Sequence, residues 1–177
     1  MTTKTTTSGL DAIGTLSVYL KPVGSDVSFC IFSEELNKIT NKARTHLLRM
    51  ATDNPAVLSP NPITNYRVGS GGVAVTATGA ETALYSEITP AGKYDNTLID
   101  KALTDSDRVA VYSFELSPSE CNGLSISEVG LFANDYWMGS APNGKMFNIK
   151  TFPEVVKTSA FSLAFVWRIN FSGVYAP

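Results

Sequence analysis

Phe161-Ser-Leu-Ala-Phe-Val-Trp-Arg-Ile-Asn-Phe171 decides the fold class. Leu163, Phe165, Trp167, Ile169 and Phe171 take every second position, and Ala164, Val166, Arg168 and Asn170 fill the places between. Side chains of a strand point alternately to the two sheet faces, so the run predicts a strand with one wholly apolar face. Arg108 to Leu116 repeats the pattern, with Ala110, Tyr112, Phe114 and Leu116 in step. Leu124 to Phe132 and Lys145 to Phe152 read as further strands, and from Ile63 onward Tyr66-Arg67-Val68 leads into Gly69-Ser70-Gly71-Gly72 and the strand-like Val73 to Thr76. Pro118, Gly123, Gly139, Pro142-Asn143-Gly144 and Pro153 punctuate these segments. Short strands separated by turn formers predict an antiparallel β-sandwich over residues 63–177.

Upstream, Leu16, Val18 and Leu20 alternate, as do Val27, Phe29 and Ile31, with Lys21-Pro22-Val23-Gly24-Ser25-Asp26 between them. That is the pattern of a β-hairpin. Ser33 then offers a helix N-cap, Glu34 and Glu35 suit a first turn, and Leu36, Ile39, Ala43, Leu47 and Met50 fall on one helical stripe. The spacing predicts one long amphipathic helix over residues 33–51. Pro55, Pro60 and Pro62 interrupt regular structure. The expected fold is mainly β (α+β): a flexible arm over 1–14, a hairpin plus helix over 15–51, a Pro-rich linker over 52–62, then the sandwich.

The 177 residues suit one domain, and 44% hydrophobic content supports a core. Charged residues are 17% against about 25% in typical domains, and 18 Ser and 18 Thr replace them. The net charge is -2 and the 14 Lys and Arg are scattered, which argues against a nucleic-acid groove. No apolar run approaches bilayer-spanning length, and the N-terminus lacks a signal-peptide core, so synthesis in a cytoplasm is expected. Cys30 and Cys121 have no second ligand at metal spacing and read as two buried thiols.

Candidate chemistry is sparse. Gly69 to Gly72 lacks the Lys-Ser/Thr pair of a phosphate loop and reads as a turn or bulge. His46 is the single histidine and has no nucleophile motif to serve. Asp95, Asp100, Asp105 and Asp107 lie in a polar stretch that reads as loop, without the glycine and glutamate of a calcium loop. Glu128 stands out because it shares a face with Leu124, Ile126 and Phe132. A carboxylate there needs a partner, and Lys157 and Arg168 are the expected ones in a buried structural ion pair. No catalytic, cofactor or metal site is expected.

Together these motifs resemble tailed-bacteriophage tail-fibre and tail-collar-fibre proteins. Ile126-Ser-Glu-Val-Gly-Leu-Phe132 is similar to their I-x-E-(I/V)-G-L-F, residues 152–158 to an F-P-x-(I/V)-x-K-T step, and Trp167-Arg-Ile-Asn-Phe171 to a W-x-I-x-F final strand. Tyr66-Arg-Val-Gly-Ser-Gly-Gly72 and Ala83-Leu-Tyr-Ser-Glu-Ile88 resemble the same family's glycine turn and A-L-x-x-E-(I/V) segment. The resemblance covers about residues 63–172 and implies a non-enzymatic structural protein of the virion tail, made in the host bacterial cytoplasm. With no shaft repeats before Pro177, it points to a short fibre-attachment, baseplate or collar subunit. Partners would be copies of itself and other tail proteins, with no nucleic acid and no membrane. Thr5, Thr6 and Thr7 of the arm are candidate assembly contacts by strand addition, as are Tyr136 and Trp137. The alternatives are a host-surface carbohydrate or receptor-binding module, for which Tyr136-Trp137-Met138 would be the patch, and a neck or capsid decoration protein.

Overall fold

The strand that alternates most cleanly lies in the middle of its sheet. In the computed structural model, which describes residues 13–41, 43, 44, 63–73, 75–97, 99–104, 109–133 and 145–170, β9 (Phe161–Asn170) pairs with two strands at once. On one side β1 (Ile13–Pro22) runs antiparallel to it without interruption, from Ile13↔Asn170 to Pro22↔Phe161. On the other β6 (Val109–Leu116) pairs from Val109↔Asn170 to Leu116↔Leu163. Leu163, Phe165, Trp167 and Ile169 are buried, while Arg168 on the other face is exposed. Edge strands β2 (Phe29–Leu36) and β5 (Asp100–Thr104) complete a five-stranded sheet in the order β2-β1-β9-β6-β5.

The hairpin of β1 and β2 forms as its pattern predicts, except that β1 begins at Ile13, inside the expected arm. Its turn uses Gly24 at φ 76°, a conformation that costs glycine nothing. The expected helix does not start at Ser33. Residues Ser33–Leu36 continue β2, held by Leu16↔Glu35 and Thr15↔Leu36. Pairing with a strand already placed by β9 outweighs the helical spacing of Leu36, Ile39 and Ala43, because propensity is a weak prior against tertiary context. Helical conformation among the described residues is confined to Asn41, Ala43 and Arg44, and its cap is Thr40. Thr40 Oγ1 accepts the Ala43 N–H (3.1 Å) and donates to the Met146 carbonyl (2.7 Å). The rest of the expected helix, residues 45–51, and the linker lie outside the described residues.

A second antiparallel sheet has the order β3-β8-β7-β4, from β3 (Lys38–Ile39), β8 (Lys145–Val156), β7 (Ser125–Ala133) and β4 (Ile63–Gly69). β8 runs through Pro153, which sequence marked as a stop. There Thr151↔Glu128 and Val155↔Ile126 leave three residues of β8 opposite Ser127 alone, a bulge in which a missing N–H breaks no ladder bond. Val73 to Thr76 do not form a strand where they are described; they lie in a loop over 70–88.

Both sheets feed one apolar cluster. Leu16, Val18, Phe114, Leu163, Phe165 and Trp167 of the first meet Tyr66, Val68, Val129, Leu131, Phe147 and Phe152 of the second. Tyr66 stacks on Phe114 with ring centroids 4.1 Å apart, and Phe114 stacks on Phe165 at 5.0 Å. A smaller cluster joins Phe132, Met146 and Ile149 of the second sheet to Ala77 and Leu84 of the loop. Among the described residues no helix is long and apolar enough to cross a membrane.

Candidate functional site beneath the 70–88 loop

The interruption of the ladder between Ile126 and Glu128 decides what surrounds Glu128. Ile126, Val129 and Leu131 join the main cluster, and Phe132 joins the smaller one with Leu84. Glu128 lies beneath the loop, fully buried. It does not share the apolar surroundings of Ile126, as strict alternation would have it, because a bulge breaks alternation.

Three loop amides satisfy the carboxylate. Oε1 accepts the N–H of Gly71 (3.0 Å) and of Ser86 (2.7 Å), and Oε2 accepts that of Tyr85 (2.8 Å). Next to it Ser127 Oγ accepts the Gly72 N–H at 2.9 Å. The expected ion pair is therefore corrected. Lys157 is buried elsewhere, its Nζ donating to the Thr158 carbonyl (2.8 Å) and standing 5.3 Å from the Phe161 ring centre. Burial lowers the Lys157 pKa below the usual lysine value. Arg168 is exposed on the outer face of β9 and forms no ion pair with Glu128. Backbone amides satisfy a buried carboxylate without a second desolvated charge, which makes a cation there unnecessary.

The glycines follow from the same contact. A Cβ on Gly71 would lie 2.6 Å from Tyr85 Cβ and 2.9 Å from Glu128 Oε1. On Gly69 it would collide with Glu128 Oε1 and the Ser86 carbonyl, and on Gly72 with the Ser127 carbonyl. The loop cradles an anion, as glycine-rich turns can, but the anion is the chain's own carboxylate.

Two further clasps hold the loop. Arg67 Nη1 of β4 donates to both carboxylate oxygens of Glu87 (3.1 and 3.0 Å), with the guanidinium 4.4 Å from the Phe132 ring centre. Glu81 accepts the N–H of Thr78 (2.7 Å) and of Gly79 (2.7 Å), the Thr78 hydroxyl (2.9 Å) and the Tyr85 hydroxyl (2.8 Å). Burial opposes ionisation of Glu81, but these hydrogen bonds outweigh it and bring its pKa to about 2. Burial first, and hydrogen bonding to Glu81 second, lift Tyr85 to about 12.

Three of the segments that carry the resemblance, 66–72, 83–88 and 126–132, thus converge on one carboxylate. No protein-family model, curated protein or solved structure matches the chain.

The other sequence candidates do not gather there. Thr5, Thr6, Thr7, His46, Asp105, Asp107, Tyr136 and Trp137 lie outside the described residues. Asp95 is exposed and accepts from Thr97 (2.9 Å from its N–H and 2.6 Å from its hydroxyl), hydrogen bonds that lower its pKa. Asp100 begins β5, a strand that the polar composition of this stretch concealed. Both cysteines are free thiols, Cys121 buried but Cys30 exposed on edge strand β2, where burial had been expected. Burial first, and Glu120 second, push the Cys121 thiol up to about 11. Sequence reasoning missed Gly71, Tyr85 and Ser86 as partners of Glu128, since main-chain donors leave no side-chain signature.

Proposed function

We propose that the protein is a structural component of a bacteriophage tail, a fibre-attachment, baseplate or collar subunit that assembles through protein–protein contacts. In this reading the two sheets are the halves of a β-sandwich, and its partners are copies of itself and other tail proteins. The supporting observation is the meeting of the glycine turn, the A-L-x-x-E-I segment and the I-x-E-V-G-L-F strand at Glu128. Residues widely separated in sequence, quoted for their resemblance to one family, make a single contact, and that gives their shared order a physical reason. Low charge suits a surface that faces protein.

Mass spectrometry of purified particles of the phage that carries this sequence, with antibody labelling in electron micrographs, tests the proposal. The chain is expected among the particle proteins, with label at the tail. Its absence from particles, or label on the capsid, overturns the reading.

A further inference from the structure

Two open sheets present four edges, and the chain treats one unlike the others. β3 is two residues long, too short to template a neighbour. The outer edge of β4 is already used: its backbone receives the Ile88 N–H at the Val68 carbonyl, gives the Tyr66 N–H to the Asn96 carbonyl, and gives the Val68 N–H to the Tyr94 hydroxyl. β2 pairs with β1 through two register shifts, and bulges twist an edge away from partners. Its carbonyls are also occupied, Leu36 by Lys150 Nζ (2.9 Å) and Phe32 by the Cys30 thiol (3.0 Å).

Among the described residues β5 shows none of these devices. Its register with β6 runs unbroken from Asp100↔Ser113 to Thr104↔Val109, it holds no proline, and all five residues are exposed. Leu103 pairs with Ala110, whose side chain faces the core, yet Leu103 is 65% exposed. Lys101 and Leu103, which pair with Tyr112 and Ala110, are both exposed.

We propose that β5 is a homotypic docking edge, joining a second copy of this chain by antiparallel β5–β5 pairing about Ala102 and giving one continuous sheet of ten strands. The sequence of β5 is self-complementary in this register. Asp100 stands opposite Thr104 of the other copy, Lys101 opposite Leu103, and Ala102 opposite itself, so no like charges face each other. Each Leu103 is covered by the methylenes of the facing Lys101 and lies diagonal to the other Leu103. The contact is isologous, so it closes at two copies and leaves no β5 edge open. This deepens the assembly reading by naming a partner and its edge, yet the pairing stands on the strand alone.

The test uses the full chain. Light scattering behind size exclusion should give twice the 19.0 kDa of one chain, and Ala102→Pro should halve that mass with unchanged circular dichroism. In a Cys30→Ser background, Ala102→Cys should form an intermolecular disulfide on mild oxidation, because opposite residues stand about 4.5–5.5 Å apart at Cα. Thr104→Cys should not. A monomer at every concentration, a trimer, or cross-linking at 104 rather than 102 overturns the proposal, and so does a dimer that survives Ala102→Pro with its fold intact. Should the parent chain instead load its own residues 1–12 onto β5, it stays monomeric, again against the proposal. A dimer missing from virions would refute the tail reading and leave this edge standing, whereas a monomer found in tails would do the reverse.

Discussion

A buried carboxylate is tolerated only where its lost hydration is replaced, and at Glu128 three main-chain amides replace it. Hydrogen bonds to a charged group contribute about 1.5–3 kcal/mol each, and donors left without an acceptor cost more than a neutral exchange. Glu128→Ala removes the acceptor for all three and should destabilise the fold by at least about 3 kcal/mol. At about 2–4 °C per kcal/mol for a chain of this size, differential scanning calorimetry resolves that easily. Glu128→Gln keeps an oxygen for Gly71 and Ser86 but turns an amide N–H toward that of Tyr85, so its loss should be smaller, about 1–3 kcal/mol. A Glu128→Ala protein that melts with the parent would refute this account. The need for a partner was legible in sequence from a glutamate among apolar neighbours. The identity of the partner was not, because backbone amides carry no residue name and the bulge between Ile126 and Glu128 inverted the face on which partners were sought.

Elements whose periodicity agrees with their neighbours were legible, and elements set by a partner were not. β9, β6 and the β1–β2 hairpin follow their alternation because each lies on an apolar cluster that rewards it. The end of β2 carries helical spacing, but β1 supplies hydrogen bonds along its length and takes it into the sheet. β5 carries no apolar alternation at all, and its strand conformation follows from pairing with β6. The 70–88 loop is a third case, an irregular element fixed by polar clasps, and one of them titrates. Glu81 has a folded pKa of about 2 against an ordinary 4.5, so between these values the unfolded chain binds the extra proton. The clasp therefore contributes fully above pH about 4.5, and the contribution is lost as pH falls through about 2. Melting temperatures recorded across that window should fall more steeply for the parent than for Glu81→Gln. Parallel profiles would show that Glu81 is no clasp.

At the scale of the molecule, strands far apart in sequence determine the sheet. β1 and β9, the first and last of the described strands, are neighbours along ten rungs, and among the described residues it is β9 that joins β1 to β6. Such order makes the pairing non-local, and the loop-closure entropy is spent before the contacts that offset it are made. Removing β9 would therefore do more than delete one strand. It would split the sheet into the β1–β2 and β5–β6 hairpins, and isolated hairpins are marginal in water. It would also take Leu163, Phe165, Trp167 and Ile169 from the core. Ile13 and Gly14 pair with Asn170 and Ile169, so a truncation that keeps every rung of β1 must end before Ile13. The expected outcome is a pair of contrasting melts. Deletion of residues 1–12 keeps all ten rungs between β1 and β9 and should leave a cooperative transition. Deletion of residues 161–177 should abolish cooperative unfolding and near-ultraviolet dichroism. If the C-terminal truncation still melts cooperatively, β9 does not hold the two halves of the sheet together.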